Sequence, residues 1–232
     1  MIKQDSHITQ KHFEEALKVA YSYLDQLDNS AVIYHRKAHT VDCVVPAALE
    51  IAQAGGFSLE EILIVGIAAA FHDTGFSKQY NANEPIGAQF AENYMRSSQH
   101  SYTEERIQFV TDAIGNTDMK NPPKTRYAQV LRDADLAILG DPDFMQWNSD
   151  LKEECKLHPD CQMYQASLDD EKWGQSQLKF ISSHKWFTNG ARSLYEAAKQ
   201  ENIARFKTHY HLEQKISPNS SFNQNPKKSE IF

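Results

Sequence analysis

A chain of 232 residues with 41% hydrophobic content falls within the range of one domain and can bury a sizeable core. Its formal net charge of -7 at pH 7 repels an extended nucleic-acid backbone, which excludes polymeric DNA or RNA as a partner class. The longest nearly unbroken apolar stretch, Ile62 to Phe71, is well short of the roughly 20 residues that cross a bilayer, MIKQDSHITQ lacks a signal-peptide core, and three cysteines are an odd and sparse set, so a cytoplasmic protein with free thiols and no membrane partner is expected.

From Ile8 to Leu27, Phe13, Ala16, Leu17, Ala20, Tyr21 and Leu24 recur at helical spacing, which predicts an amphipathic outer helix. Asp28-Asn29-Ser30 breaks it. A second helix is predicted from Ala31 to Ala54, ending at Gly55-Gly56 and kinked or split at Pro46. Ser58 and Glu61 form a capping box before LEEILIVGIAAAFHDTGF, Leu59 to Phe76, which is apolar almost all round and reads as a buried central helix. That helix presents His72 and Asp73 at its C-terminal end, with Gly75 as the stop. Asn81 to Glu84 reads as a loop, Pro85 suits the first turn of a helix through Met95, and Ser101 with Glu104 repeats the capping pattern before a helix from Tyr102 to Ile114. The segment GNTDMKNPPKT reads as a loop, and Arg126 to Gly140 returns to helix. Further helices are predicted near Asp143 to Lys156, Ser167 to Ser183 and Gly190 to Phe206. No run of alternating β-branched residues occurs, so the fold class is all-α. From Ile216 the sequence is polar and rich in Asn, Ser and Pro, which predicts a helical domain over 1-215 and a disordered or loosely attached tail over 216-232.

The candidate metal ligands are His39, His72, Asp73 and Asp135. Imidazole and carboxylate suit divalent first-row metals, and facing helices bring such groups together from distant parts of a chain. Neighbouring side chains on a helix diverge by only about 100°, so an adjacent His-Asp pair can chelate one cation from a helix but not from a strand. Taken singly, His39 could be a satisfied histidine and Asp135 could pair with Arg132. Two adjacent polar residues closing so apolar a helix, however, demand compensation. Cys155, His158 and Cys161 match no standard zinc spacing, Cys43 reads as a small buried filler, and His184, Trp186 and Phe187 read as packing residues.

In that order and on helices, His39, His72-Asp73 and Asp135 resemble the H...HD...D signature of the HD superfamily of metal-dependent phosphohydrolases, an α-helical bundle fold. The phrases HDTGF, LRDADLAILG and FISSHKWFTNGARSLYEAAKQENIARF are similar to predicted hydrolases of that superfamily over Ala31 to Phe206. YHRKAHTVDCV resembles the YHNxxHAxDV phrase of cyclic-nucleotide phosphodiesterases, a distant branch, with Arg36 in place of the Asn. The resemblance implies one divalent ion (Mn, Fe, Co, Ni, Zn or Mg) on the four ligands, with His35 as general acid and Asp73 at the catalytic centre. It implies hydrolysis of a small-molecule phosphate ester, foremost a nucleotide, by water activated at the metal. The region YNANEPIGAQFAENYM lacks the extra histidines of multi-metal members, and Phe76 stands where some nucleotidases carry an acid. Two Asp ligands cancel a divalent charge, so cationic help from Arg36, Lys120, Lys124 or Arg126 is expected at the phosphate. The competing readings are a cyclic-nucleotide or dinucleotide phosphodiesterase and a non-catalytic, metal-containing ligand sensor. Oligomeric state is left open.

Overall fold

The nine consecutive residues Leu63 to Phe71 are all buried, and they form the axis of an all-α structure. The computed structural model describes residues 7-120 and 122-212. The predicted tail over 216-232 lies outside them. Among the described residues there is no strand, and no helix is long and apolar enough to cross a membrane.

Helix α1 (Gln10–Leu24) buries Phe13, Ala16, Ala20 and Leu24 along one stripe. A π-helical stretch, His39–Val44, leads into α2 (Val45–Ala54) and α3 (Leu59–Phe71), and a 3-10 turn, Thr74–Ser77, follows. Then come α4 (Glu84–Ser97), α5 (Glu104–Gly115) and α6 (Arg126–Asp135), which runs into a 3-10 turn at Ala137–Gly140. Helices α7 (Phe144–Leu157), α8 (Tyr164–Ser167), α9 (Asp170–Ser183) and α10 (Asn189–His209) follow among the described residues. Helix α3 packs against α1, α2, α4, α5 and α6, so each of its faces meets apolar neighbours. Burying a single large aliphatic or aromatic side chain of this kind contributes about 1.5–3 kcal/mol, which explains why a helix apolar all round goes to the centre.

The start of α3 is set by the predicted capping box. Ser58 N–H donates to Glu61 Oε2 at 2.8 Å, and Glu61 N–H donates back to Ser58 Oγ at 3.4 Å. Its end is set by packing rather than by a left-handed glycine. A Cβ on Gly75 would lie 1.9 Å from the Asn83 carbonyl oxygen, so only glycine admits the loop that leads into α4. Gly87 likewise lets α4 approach the carbonyls of Phe71 and His72, to which a Cβ would come within 2.8 and 2.9 Å.

The start of the second helix and the cap of α5 differ from expectation, while the expected break at Pro46 takes a particular form. The second helix does not begin at Ala31: residues 31-36 form turns and bends, and helical structure starts at Lys37. The irregular segment is held from outside, because Tyr34 and His35 give their backbone N–H groups to Glu154 of α7. The split at Pro46 takes the form of the π-helical turn. Proline offers no N–H and its ring would meet the carbonyl four residues earlier, so the preceding turn widens. Helix α5 is capped by Thr103, whose hydroxyl accepts from Arg106 N–H, and not by Ser101.

Candidate metal centre

The C-terminal ends of α3 and α6 meet the first π-helical turn, and the polar side chains at those three places converge. His72 caps α3, Asp73 follows it, Asp135 is the last residue of α6, and His39 opens the π-helical stretch. Helix C-termini carry partial negative charge, so two of them pointing at one place favour a cation there.

His39, His72 and Asp73 are buried, and one ligand atom from each lies within 4.8 Å of the others. His72 Nε2 is 3.1 Å from Asp73 Oδ2 and 3.6 Å from Asp135 Oδ1. His39 Nε2 is 3.2 Å from the same Asp135 oxygen and 3.9 Å from Asp73 Oδ2. Bonds of about 2.1 Å to a common ion at tetrahedral or octahedral angles put neighbouring ligand atoms about 3.0–3.4 Å apart, which is the spacing of the closer pairs.

The hydrogen-bond pattern fits a cation as well. His72 Nδ1–H donates to the Ala69 carbonyl at 2.7 Å, which leaves Nε2 to face the two carboxylates. That Nε2 and Asp73 Oδ2 are buried without a hydrogen-bond partner. A lone pair turned toward carboxylate oxygens is repelled unless a proton or a metal ion lies between them. Burial alone would lower the pKa of His72, yet Asp73 and then Asp135 hold it well above its ordinary value. Burial likewise works against a charged Asp135, and the hydrogen bond with His39, together with the nearby His72 imidazole, wins and holds its pKa down. The centre gathers two carboxylates in a buried place, which favours a positive charge there. Asp73 has only 8% of its side chain exposed and Asp135 has 20%, so the opening to solvent lies on the Asp135 side.

His35 is not one helical turn before His39, since no helix exists there. It nevertheless lies close by, its ring 5.9 Å from that of His39 and stacked on Phe76 at 4.4 Å. Its Nδ1 meets Glu154 Oε1 at 2.5 Å. Burial opposes a charged His35, but the Glu154 carboxylate raises its pKa to about 9. Burial also opposes a charged Glu154, and His35 with the Tyr34 and His35 amides draws it down to about 2. Tyr80 O–H donates to Glu154 Oε1 as well, at 3.0 Å.

Glu154 escaped the sequence reading, although its place on α7 carried a signal. Asp150, Glu154 and His158 are spaced four apart and face the irregular segment: Asp150 binds Arg36, Glu154 binds Tyr34 and His35, and His158 Nε2–H donates to the Ala31 carbonyl. Glu154 thus falls on the face that also carries buried Trp147, where a carboxylate needs a partner.

The basic candidates are dispersed. Arg36 Nη1 binds Asp150 at 2.5 Å and the Ile33 carbonyl, with its guanidinium 4.3 Å over Trp147, so its charge is already paired. Lys124 and Arg126 are exposed at the N-terminal end of α6, where Arg126 lies 3.6 Å over Phe57 and 3.6 Å from Glu61. Nine residues of helix, about 13 Å of rise, separate Arg126 from Asp135, because the loop that leads into α6 enters at the far end. Lys120 is exposed beside Asp118. Arg132 is buried and donates to the carbonyls of Asn116 and Asp118. Asp133, two residues before Asp135 and wholly buried, accepts from Phe187 N–H, Thr188 N–H and Thr188 Oγ1. Of the two acids in LRDADLAIL, then, one anchors the start of α10 and the other turns to the histidines. Trp186 is buried as a packing residue, whereas Phe187 remains exposed.

Compared with known families, curated proteins and solved structures, the chain matches none.

Proposed function

We propose that the protein is a metal-dependent phosphohydrolase that cleaves a small phosphate ester, a nucleotide foremost. The observation that carries the reading is the buried cluster of His39, His72 and Asp73, with an Asp135 oxygen in reach of both imidazoles and donor atoms left without hydrogen-bond partners. These four residues would hold one divalent ion, which supplies Lewis acidity at a phosphoryl oxygen and lowers the pKa of water.

The chain's own residues supply the rest. Asp135 lies within hydrogen-bond reach of His39 at 3.2 Å, and the Ala69 carbonyl fixes the tautomer of His72. His35, 23% exposed at its side chain, has its ring 5.9 Å from that of His39. Glu154 keeps it protonated at neutral pH, so it can give a proton to the departing oxygen of the ester. Tyr80 and the backbone amides of Tyr34 and His35 hold Glu154 in turn, so the acid is positioned by a chain of hydrogen bonds from α7. Arg36 is paired with Asp150, and Arg132, which feels the charge of Asp135, gives its hydrogen bonds to the Asn116 and Asp118 carbonyls, so the phosphate is held chiefly at the metal ligands and by His35.

Elemental analysis of gently purified protein should find about one equivalent of transition metal, lost in Asp73→Ala. Phosphomonoesters, cyclic nucleotides and dinucleotides, assayed with Mn, Mg, Co and Zn, then test turnover. Preference for cyclic nucleotides or dinucleotides would move the assignment to a phosphodiesterase. Metal without turnover on any ester would move it to a sensor, and full metal retention by Asp73→Ala would overturn the site.

A further inference from the structure

Behind the wall that carries His35, two cysteines lie in contact. Cys155, in the last turn of α7, is fully buried; Cys161 is partly exposed, and their sulfurs are 3.2 Å apart. The backbone holds them there through two successive turns that share His158. His158 N–H donates to the Cys155 carbonyl at 3.3 Å, and Cys161 N–H donates to the His158 carbonyl at 2.8 Å. His158 is itself pinned, by its bond to the Ala31 carbonyl and by a parallel stack on Tyr80. The main chain thus holds the two cysteines as neighbours, and Met163 N–H, 3.4 Å from the Cys161 sulfur, holds that sulfur toward its partner.

We propose that Cys155 and Cys161 form a redox-active dithiol that closes to an intramolecular disulfide when a hydroperoxide reacts at Cys161. The proposal is independent of the metal centre. The two sulfurs have unequal surroundings. Full burial disfavours a thiolate at Cys155, whereas Cys161 is partly exposed and Met163 N–H, which meets its sulfur at 3.4 Å, supports negative charge there. The partly exposed sulfur is thus the nucleophile and the buried one resolves it.

In the first step the Cys161 thiolate attacks one oxygen of the hydroperoxide and the O–O bond breaks. The other oxygen leaves as an alcohol or water with a proton from solvent, and Cys161 becomes a sulfenic acid. In the second, Cys155 sulfur attacks Cys161 sulfur, the S–O bond breaks, and water leaves with the Cys155 proton. Two thiols and one hydroperoxide yield a disulfide, an alcohol or water, and water. Cys43 is an internal control, because burial pushes its thiol up to about 11 and leaves it protonated.

The test uses the full chain, reduced, freed of reductant, exposed to about one equivalent of hydrogen peroxide and then alkylated. The expected result is loss of two hydrogen atoms from the intact mass before alkylation, alkylation at Cys43 alone, and recovery of the Cys155 and Cys161 thiols with dithiothreitol. Trypsin cuts after Lys156, between the two cysteines, so the bond must appear as two peptides joined through Cys155 and Cys161. Cys155→Ser, which lacks the resolving thiol, should accumulate a Cys161 sulfenic acid trappable by dimedone. Alkylation of all three cysteines, oxidation of Cys161 to the sulfinic acid without a linked peptide, or preferential oxidation of Cys43 would each overturn the proposal.

Discussion

His35 meets Glu154 where an irregular segment lies against α7, and that one contact makes two demands on the pH response. With a pKa of about 9 against an ordinary 6.5, His35 contributes stability that is complete below pH 6.5 and is lost as pH rises through about 9. With a pKa of about 2 against 4.5, Glu154 contributes stability that is complete above pH 4.5 and is lost as pH falls through about 2. The pair is therefore at full strength between pH 4.5 and 6.5. Glu154→Gln should flatten the alkaline decline, measured as melting temperature against pH, and should cost about 3–5 kcal/mol near pH 6 because it strands a buried partner. An unchanged alkaline slope would deny Glu154 its hold on His35. His35→Ala should keep the metal and lose about a hundredfold in rate on esters with poor leaving groups, with a smaller loss on p-nitrophenyl esters, which need less protonation. Equal losses on both would make His35 a supporting residue.

Among the elements, α4 matters to the centre although it carries none of its ligands. Gly87 lets it pack on the carbonyls of Phe71 and His72, so a methyl group there pushes on the turn that holds the His-Asp pair. Gly87→Ala should cost about 1–3 kcal/mol in chemical denaturation and should weaken metal retention in parallel. Destabilisation with metal affinity intact would mean that the turn gives way elsewhere. Helix α5 offers a plainer case. Thr103→Ala removes the hydroxyl that accepts from Arg106 N–H and should cost about 1 kcal/mol, with no effect on the metal.

For the whole molecule, the centre joins three distant parts of the chain, the π-helical turn, the end of α3 and the end of α6, so an ion bound there ties them together. A ligand that binds only the folded chain stabilises it by about 2.7 kcal/mol at a hundred times its dissociation constant. For a chain of this size that is a rise of roughly 5–10 °C in melting temperature. Saturating Mn or Zn should produce such a rise in metal-stripped protein, and Asp73→Ala should abolish it; an equal rise in the variant would place the binding elsewhere.

The sequence by itself determined the helical class, the central place of the helix within Leu59 to Phe76, and the adjacency of His72 and Asp73 at its end. Each of these follows from local chemistry: a 3.6-residue period, a capping box, and two polar groups closing an apolar helix. What lay beyond local chemistry was decided by packing. YHRKAHTVDCV reads as continuous helix, yet its first residues are held in bends because a buried carboxylate on α7 takes their backbone N–H groups. Arg126 is close to Asp135 in sequence and a helix length away in space. Asp133 and Asp135 look alike in sequence, and only the arrival of the α10 terminus beside one of them separates an anchor from a candidate ligand. A hydrogen bond across 119 positions of chain leaves no periodic trace, and so His35 acquired its partner only when the chain folded.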